Sequence, residues 1–106
     1  MAAKLRELGW EVQEEYKGCD IRADKDGKAI AVEIETGRTH TDQLRRNLKH
    51  DLQWTKGIVI VTATQDISIG LQEWIRLEGL HVPVIASENV PEYLAMFGLP
   101  TTHFTE

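Results

Sequence analysis

The sequence predicts an α/β domain with a mixed five-stranded sheet, in the order α-β-β-β-α-β-α-β-α. An antiparallel three-strand meander is followed by parallel strands, and helices flank the sheet. Polar and apolar residues alternate from Trp10 to Glu35 between turn residues, which is typical of short antiparallel strands. After Gly37 the period becomes about 3.6, which indicates a helix. Residues 57–63 are almost continuously apolar and β-branched, as in a strand that is buried on both faces and paired in parallel.

The first half of the chain predicts a short helix followed by the meander. Residues 2–8 fit a helix, and Gly9 fits the position after its last turn. Residues 24–27 form a tight turn in which Gly27 supplies a positive φ, so the flanking strands are expected to form an antiparallel hairpin. The expected strands are residues 10–16, 19–23 and 28–35.

The second half predicts alternating helices and strands. A helix from Thr39 or Thr41 to about Trp54 places the leucines at positions 44, 48 and 52 on one face. The remaining expected elements are a strand at 57–63, a helix at 66–78, a strand at 82–86 and a helix at 91–97. We interpret residues 1–106 as one domain with a core at about 2–63, a C-terminal β-α extension at about 64–98 and a loose tail at 99–106.

Composition excludes several classes of protein. The chain is 42% hydrophobic, and its one cysteine excludes an internal disulfide. It has no signal-peptide pattern and no apolar run of about 18 residues, so we expect a cytoplasmic protein without a membrane partner. The net charge is −5, yet residues 36–56 carry five basic and two acidic groups. This basic segment suits contact with phosphates, and the alternative interpretation is a solvated helix face.

Two carboxylates on one predicted strand need an explanation. Alternation places Ile30, Val32 and Ile34 on one face of the strand at 28–35, and it places Glu33 and Glu35 on the other. In the predicted hairpin Asp20 lies near Glu33, so three carboxylates converge. At an effective dielectric of 20, two such charges about 5 Å apart repel by about 3 kcal/mol. A hard divalent cation such as Mg²⁺ would compensate them.

These residues resemble the PD-(D/E)XK nuclease superfamily. Asp20 matches the Asp of the family's second strand, and Glu33-Ile34-Glu35 matches the acidic-x-Lys triplet of its third strand, with Glu35 in place of Lys. Cys19 stands where the family pattern has a proline. The resemblance covers about residues 2–63 and implies a restriction-endonuclease-like (Holliday-junction-resolvase-like) fold.

The resemblance implies roles for the matched residues. Asp20 and Glu33 would bind Mg²⁺ or Mn²⁺ together with the backbone carbonyl of Ile34. Glu35 would bind a second ion or act as the general base that activates water. The implied activity is hydrolysis of phosphodiester bonds in DNA by an endonuclease. Many members carry a further Glu on the first helix, for which Glu7 or, on the first strand, Glu14 is a candidate.

Basic and polar residues after the third strand are candidates for contact with DNA. Arg38 directly follows the acidic strand and is the best candidate for a phosphate contact. The other nucleic-acid-binding candidates lie on the following helix and are Gln43, Arg45, Arg46 and Lys49. A homodimer and a fused or partner ATPase or helicase are further expected associations.

Two alternatives stay open from sequence alone. Glu33 and Glu35 could belong to an exposed strand face or pair with Arg38 and Lys28, and Cys19 could be a packing residue beside the site. The chain could then be a catalytically inactive nuclease-like domain, acting as a nucleic-acid-binding or assembly module of a larger DNA-processing protein. A small-ligand domain using residues 57–97 is a third reading, but no glycine-rich phosphate loop supports it.

Overall fold

The computed structural model describes residues 1–35, 41–97 and 103–104. Its four helices and seven strands follow one another in the order α1 (Ala2–Glu7), β1 (Glu11–Tyr16), β2 (Cys19–Lys25), β3 (Lys28–Glu35), α2 (Thr41–Asp51), β4 (Gly57–Thr62), α3 (Gln65–Leu77), β5 (Leu80–His81), β6 (Val84–Ala86), α4 (Val90–Phe97) and β7 (His103–Phe104). A 3₁₀ turn at Ser87–Asn89 leads into α4. In the part of the chain that is described, no helix is both long enough and apolar enough to cross a bilayer.

The main sheet is mixed and has five strands, as the sequence predicts. Its strand order is β1-β2-β3-β4-β6. Strands β1 to β3 form the antiparallel meander, and the β3–β4 and β4–β6 pairs are parallel. Lys25 pairs with Lys28 across a two-residue turn in which Asp26 and Gly27 have φ values of 53° and 79°. Positive φ at both positions matches the twist of the flanking strands, so the predicted hairpin turn is confirmed.

The sheet separates two hydrophobic cores because successive residues of its central strands face opposite sides. Ile30 and Val32 belong to the core covered by α1 and α4, whereas Ala31 belongs to the core covered by α2 and α3. Leu44 and Leu48 of α2 are buried in this second core, as predicted, with Leu52 packed against it.

The ends of two elements differ from the prediction. Ile34 lies on the predicted apolar face of β3 but is 40% exposed, because the end of β3 extends beyond the hydrophobic core. Helix α2 ends at Asp51 instead of near Trp54, since the backbone N–H groups of Trp54 and Thr55 both bond to the Asp51 carbonyl in a turn.

The predicted strand at 82–86 is divided around Pro83. Only Val84–Ala86 pairs with β4 as β6, while the Pro83 carbonyl accepts a hydrogen bond of 2.9 Å from the backbone N–H of Ile60. Leu80–His81 pairs instead with His103–Phe104 in a second, two-stranded sheet. This pair was not predicted, and it places two residues of the expected loose tail in a strand.

Candidate functional site

The candidate site lies where β2 and β3 separate. The paired positions of these strands run from Lys25–Lys28 to Ile21–Val32 and end there, whereas β3 continues beside β4 to the Glu35–Thr62 pair. We call the resulting gap the β2–β3 fork; it is flanked by residues 19–20 of β2 and residues 33–35 of β3. Glu15 of β1 has a φ of 55° and lies between the two paired positions that flank Asp20, so the neighbouring ladder is also distorted here.

Asp20 bridges the fork. Its side chain is exposed, and Oδ2 accepts a hydrogen bond of 2.7 Å from the backbone N–H of Ile34. The carboxylate therefore takes the place of a backbone acceptor that β2 would supply if the ladder continued. The structure thus brings Asp20 to the Glu33–Glu35 segment through the Ile34 backbone, but the predicted convergence of Asp20, Glu33 and Glu35 is not observed, because the ligand atoms grouped with Glu33 are those of Cys19 and Asp51.

Glu33 points into the core on the α2 side of the sheet. It is 2% exposed, which excludes an exposed strand face for this residue. Its neighbours are Cys19 and Asp51, both 1% exposed, and one ligand atom from each of the three residues lies within 4.8 Å of the others. We call Cys19, Glu33 and Asp51 the buried cluster.

The oxygens of the buried cluster lack the partners that buried carboxylates normally have. With both carboxyls ionised, Glu33 Oε1 and both carboxylate oxygens of Asp51 have no hydrogen-bond partner in residues 1–35, 41–97 and 103–104. A buried polar atom without a partner costs about 1–3 kcal/mol, and more if it is charged. The cluster therefore destabilises the fold unless a proton or a cation occupies it.

Burial sets the protonation of the two carboxyls. It raises the pKa of Glu33 to about 9, with further increases from a hydrogen bond to Asp51 and from the charges of Asp51 and Asp20. Burial also raises the pKa of Asp51, while the hydrogen bond from Glu33 and the charge of His50 act in the opposite direction. At neutral pH and without a cation, Glu33 thus holds a proton and shares it with Asp51.

Cys19 is part of the same electrostatic environment. Burial raises the pKa of its thiol, and the neighbouring carboxylates of Glu33 and Asp51 raise it further. Its Sγ donates a hydrogen bond of 3.0 Å to the Ile21 carbonyl, with the Val32 carbonyl at 3.7 Å. Ile21 belongs to the opposite core, so Cys19 and Ile21 face opposite sides of the sheet, although strict alternation along β2 would place them on one side.

Asp51 was not predicted as a site residue. It is the last residue of α2, where the negative end of the helix dipole disfavours a carboxylate. The available signal was its spacing, because Leu44, Leu48 and Asp51 follow one another at i, i+4 and i+7 and so share one face of the helix. An acidic residue in an otherwise apolar stripe is the feature that could have identified it.

The donor set fits a metal ion. Two carboxylates with unsatisfied oxygens and one thiol converge in a buried space, and a divalent cation would supply the missing electrostatic partner. Glu7 and Glu14, the candidates for a further Glu, are both exposed and lie outside this group. The additional carboxylate near the fork comes instead from Asp51 at the end of α2.

The other predicted metal ligands, Glu35 and the Ile34 carbonyl, lie outside the buried cluster. Glu35 is half-buried at the end of β3 and pairs in register with Thr62 of β4. The amide of Ile34 faces Asp20, and the metal-binding role of its carbonyl stays a prediction. Arg38, the leading candidate for a phosphate contact, lies outside the described residues.

Among the predicted DNA-binding residues of α2, Gln43 and Arg45 lie on different flanks of the helix. Gln43 donates to Asn47 Oδ1 at 2.9 Å and accepts from Arg46 at 2.9 Å, so these side chains form one exposed polar chain. Arg45 lies about 200° around the helix from Gln43 and forms an ion pair with Glu78 at the end of α3. Lys49 is exposed. Lys49 lies one turn after Arg45 and Arg46 and within about 60° of each around the helix, so the three basic residues share one side of α2, on which Arg45 is already paired with Glu78.

An open groove of about 780 Å³ lies elsewhere, over β1 and β2. Among its lining residues Arg22 pairs with Asp24 at 3.0 Å, and the Arg22 guanidinium lies 4.7 Å from the ring centre of Tyr16 and 5.1 Å from that of Trp54. The groove is not lined by any residue of the buried cluster. We therefore place the candidate chemistry at the fork and its buried cluster.

Comparison with known proteins found no significant match among family models, curated proteins or solved structures.

Proposed function

We propose that this domain is a metal-dependent nuclease that hydrolyses phosphodiester bonds in DNA. The observation that carries the proposal is the pair of buried carboxyls, Glu33 and Asp51, which lie beside the exposed Asp20 and have three oxygens without a hydrogen-bond partner among the described residues when ionised. Such a pair costs stability, and groups of this kind are concentrated at functional sites. The resemblance of Asp20 and Glu33-Ile34-Glu35 to the PD-(D/E)XK pattern supports the same conclusion.

Each residue of the fork has a defined task in this proposal. Glu33 and Asp51 would hold the ion from the protein side, and Asp20 would reach it from the solvent side with the oxygen that accepts from the Ile34 amide in the metal-free chain. A bound Mg²⁺ or Mn²⁺ would lower the pKa of a coordinated water and polarise a phosphate oxygen. Glu35, on the strand end next to Glu33, accepts the proton of the attacking water. Arg46 and Lys49, both exposed on α2, position the DNA backbone.

The experiment is a nicking assay on supercoiled plasmid and on branched DNA with Mg²⁺ or Mn²⁺. Asp20→Asn retains an oxygen acceptor for the Ile34 amide but removes the charge, and Glu33→Gln retains the buried shape. Each is expected to reduce cleavage by about 100-fold or more. Glu92→Gln is the matched control, because Glu92 is an exposed carboxylate on α4, on the other side of the sheet, and its loss should leave cleavage unchanged. Absence of cleavage with either ion, or unchanged cleavage in both site variants, would overturn the proposal.

A second candidate function is a nuclease-like module that binds nucleic acid or assembles a larger machine without cutting. The burial of Glu33 and Asp51 favours it, because a phosphate cannot touch groups that are 2% and 1% exposed. DNA binding without cleavage, unaltered in Glu33→Gln, would support this second function and exclude the first.

A further inference from the structure

The buried cluster contains a ligand that the nuclease pattern does not use. Cys19 Sγ lies within 4.8 Å of one oxygen of Glu33 and one of Asp51, and all three side chains are at least 98% buried. Both carboxyls present oxygens without hydrogen-bond partners in the described part of the chain. Three potential ligands thus surround one space from three elements, β2, β3 and the end of α2.

We propose that Cys19, Glu33 and Asp51 bind one transition-metal ion, with Cys19 as a thiolate, and that the site prefers Zn²⁺ or Co²⁺ to Mg²⁺. Ligands at about 2.0–2.3 Å from a tetrahedral ion lie about 3.3–3.8 Å from one another. The present separations of up to 4.8 Å reach this arrangement after small side-chain movements.

The chemistry of the ligands selects the ion. Thiolate ligands favour zinc and related ions, whereas Mg²⁺ requires oxygen ligands in octahedral geometry and retains several waters. A site whose three residues are 1–2% exposed leaves little access for such a water shell. One thiolate and two carboxylates also fit the tetrahedral protein sites in which a fourth position is left for a water or a further ligand.

Binding changes the bonds of Cys19 in a defined way. The S–H proton is released to solvent as the sulfur–metal bond forms, and Sγ gives up its hydrogen bond to the Ile21 carbonyl. The proton shared by Glu33 and Asp51 is released as well. No oxidation or reduction takes place.

The inference rests on the metal centre of the proposed function, in which it replaces Mg²⁺ by Zn²⁺ or Co²⁺, and it does not require DNA cleavage. It specifies the class of ion and adds Cys19 as a ligand. Binding is therefore measured separately from activity, so that the two proposals can fail independently.

The test is a titration of the full chain with Co²⁺, followed by its absorption in the near ultraviolet. A thiolate–Co²⁺ charge-transfer band must come from Cys19, because the chain has one cysteine. We expect one Co²⁺ per chain, the band, and competition by Zn²⁺ at concentrations at least about 100-fold lower than those needed for Mg²⁺. Cys19→Ser should abolish the band and weaken Co²⁺ binding by about tenfold or more, and Asp51→Asn should weaken binding by a similar factor.

Controls separate loss of a ligand from loss of the fold. Glu92→Gln should retain both the band and the affinity for Co²⁺, and Cys19→Ala and Cys19→Ser are compared with the wild type by urea denaturation in EDTA. Bound Co²⁺ without the band, or no bound Co²⁺ in a folded wild type, would overturn the inference. The band without DNA cleavage would support the metal site and reject the nuclease. Cleavage by a chain that shows no band would support the nuclease and reject Cys19 as a metal ligand.

Discussion

Replacing Glu33 with glutamine should stabilise the metal-free protein at neutral and alkaline pH. Burial, together with Asp51 and Asp20, raises the pKa of Glu33 from 4.5 to about 9 in the folded chain. Between these two values the folded state holds a proton that the unfolded state has lost, so the free energy of unfolding falls as the pH rises through this window. Glutamine does not titrate, and its amide N–H can still donate to Asp51.

The magnitude follows from linkage. Above the unfolded-state pKa of 4.5, the free energy of unfolding of the wild type falls by about 1.4 kcal/mol per pH unit. At pH 7 the loss is about 3 kcal/mol. A protein of this size loses about 1–3 kcal/mol of stability per molar urea, so the midpoint of the Glu33→Gln variant should lie about 1–3 M higher.

The assay is urea denaturation in EDTA from about pH 5 to about pH 9, within the window in which linkage acts. Wild type and Glu92→Gln should lose stability in parallel as the pH rises, while Glu33→Gln stays nearly constant in comparison. A saturating divalent ion should then restore the wild type, by about 2.7 kcal/mol at 100 times the dissociation constant, and leave Glu33→Gln unchanged. A wild-type stability that is flat or rising over this range, or a Gln variant that is less stable at pH 8, would refute the reasoning.

Three further predictions address the ligand, the core and the DNA contacts. Asp51→Asn should stabilise the metal-free chain by about 1–3 kcal/mol, because it removes a buried charge, and it should reduce the rise in melting temperature that a divalent ion causes in the wild type. A rise as large as that of the wild type would argue against Asp51 as a ligand. Leu48→Ala should lower the free energy of unfolding, measured by urea denaturation, by about 2–5 kcal/mol because Leu48 is fully buried. Ile69→Ala, on the exposed side of α3, should change it by less than about 0.5 kcal/mol. Equal effects would contradict the buried and exposed faces described for α2 and α3. Lys49→Ala should reduce the slope of log DNA affinity against log salt concentration by about 1, measured by fluorescence anisotropy at several salt concentrations. Arg45→Ala should reduce it by less, because Arg45 is already paired with Glu78. An unchanged slope in Lys49→Ala would reject the phosphate contact.

Local patterns account for the parts of the fold that the sequence predicts correctly. The Asp26–Gly27 turn determines which strands pair, and the alternation along β3 determines which residues face each core. Both depend on residues that are close in the sequence. The β5 and β7 strands pair through only two residues each, and the paired residues lie more than twenty positions apart in the sequence. No local sequence pattern specifies so short a pairing.

The candidate site was predicted only in part for a related reason. Asp20 and Glu33 share a hairpin, so their proximity follows from its register. Asp51 approaches Glu33 only because α2 packs over β3 and ends at that level, which depends on tertiary packing. The thiol of Cys19 joins them because the ladder is distorted at the fork, and strict alternation would have assigned it to the opposite face.

The hydrogen bond between Asp20 and the Ile34 amide makes this one amide a reporter of what enters the fork. An ion that takes the Asp20 oxygen leaves the Ile34 N–H without its acceptor, while the neighbouring β3–β4 ladder stays intact. Hydrogen exchange at Ile34 should then accelerate on loading, and the amides of Val32 and Val59 should remain slow. Occupancy could in this way be followed in the unmodified chain by a single backbone resonance, without substrate and without a coloured ion.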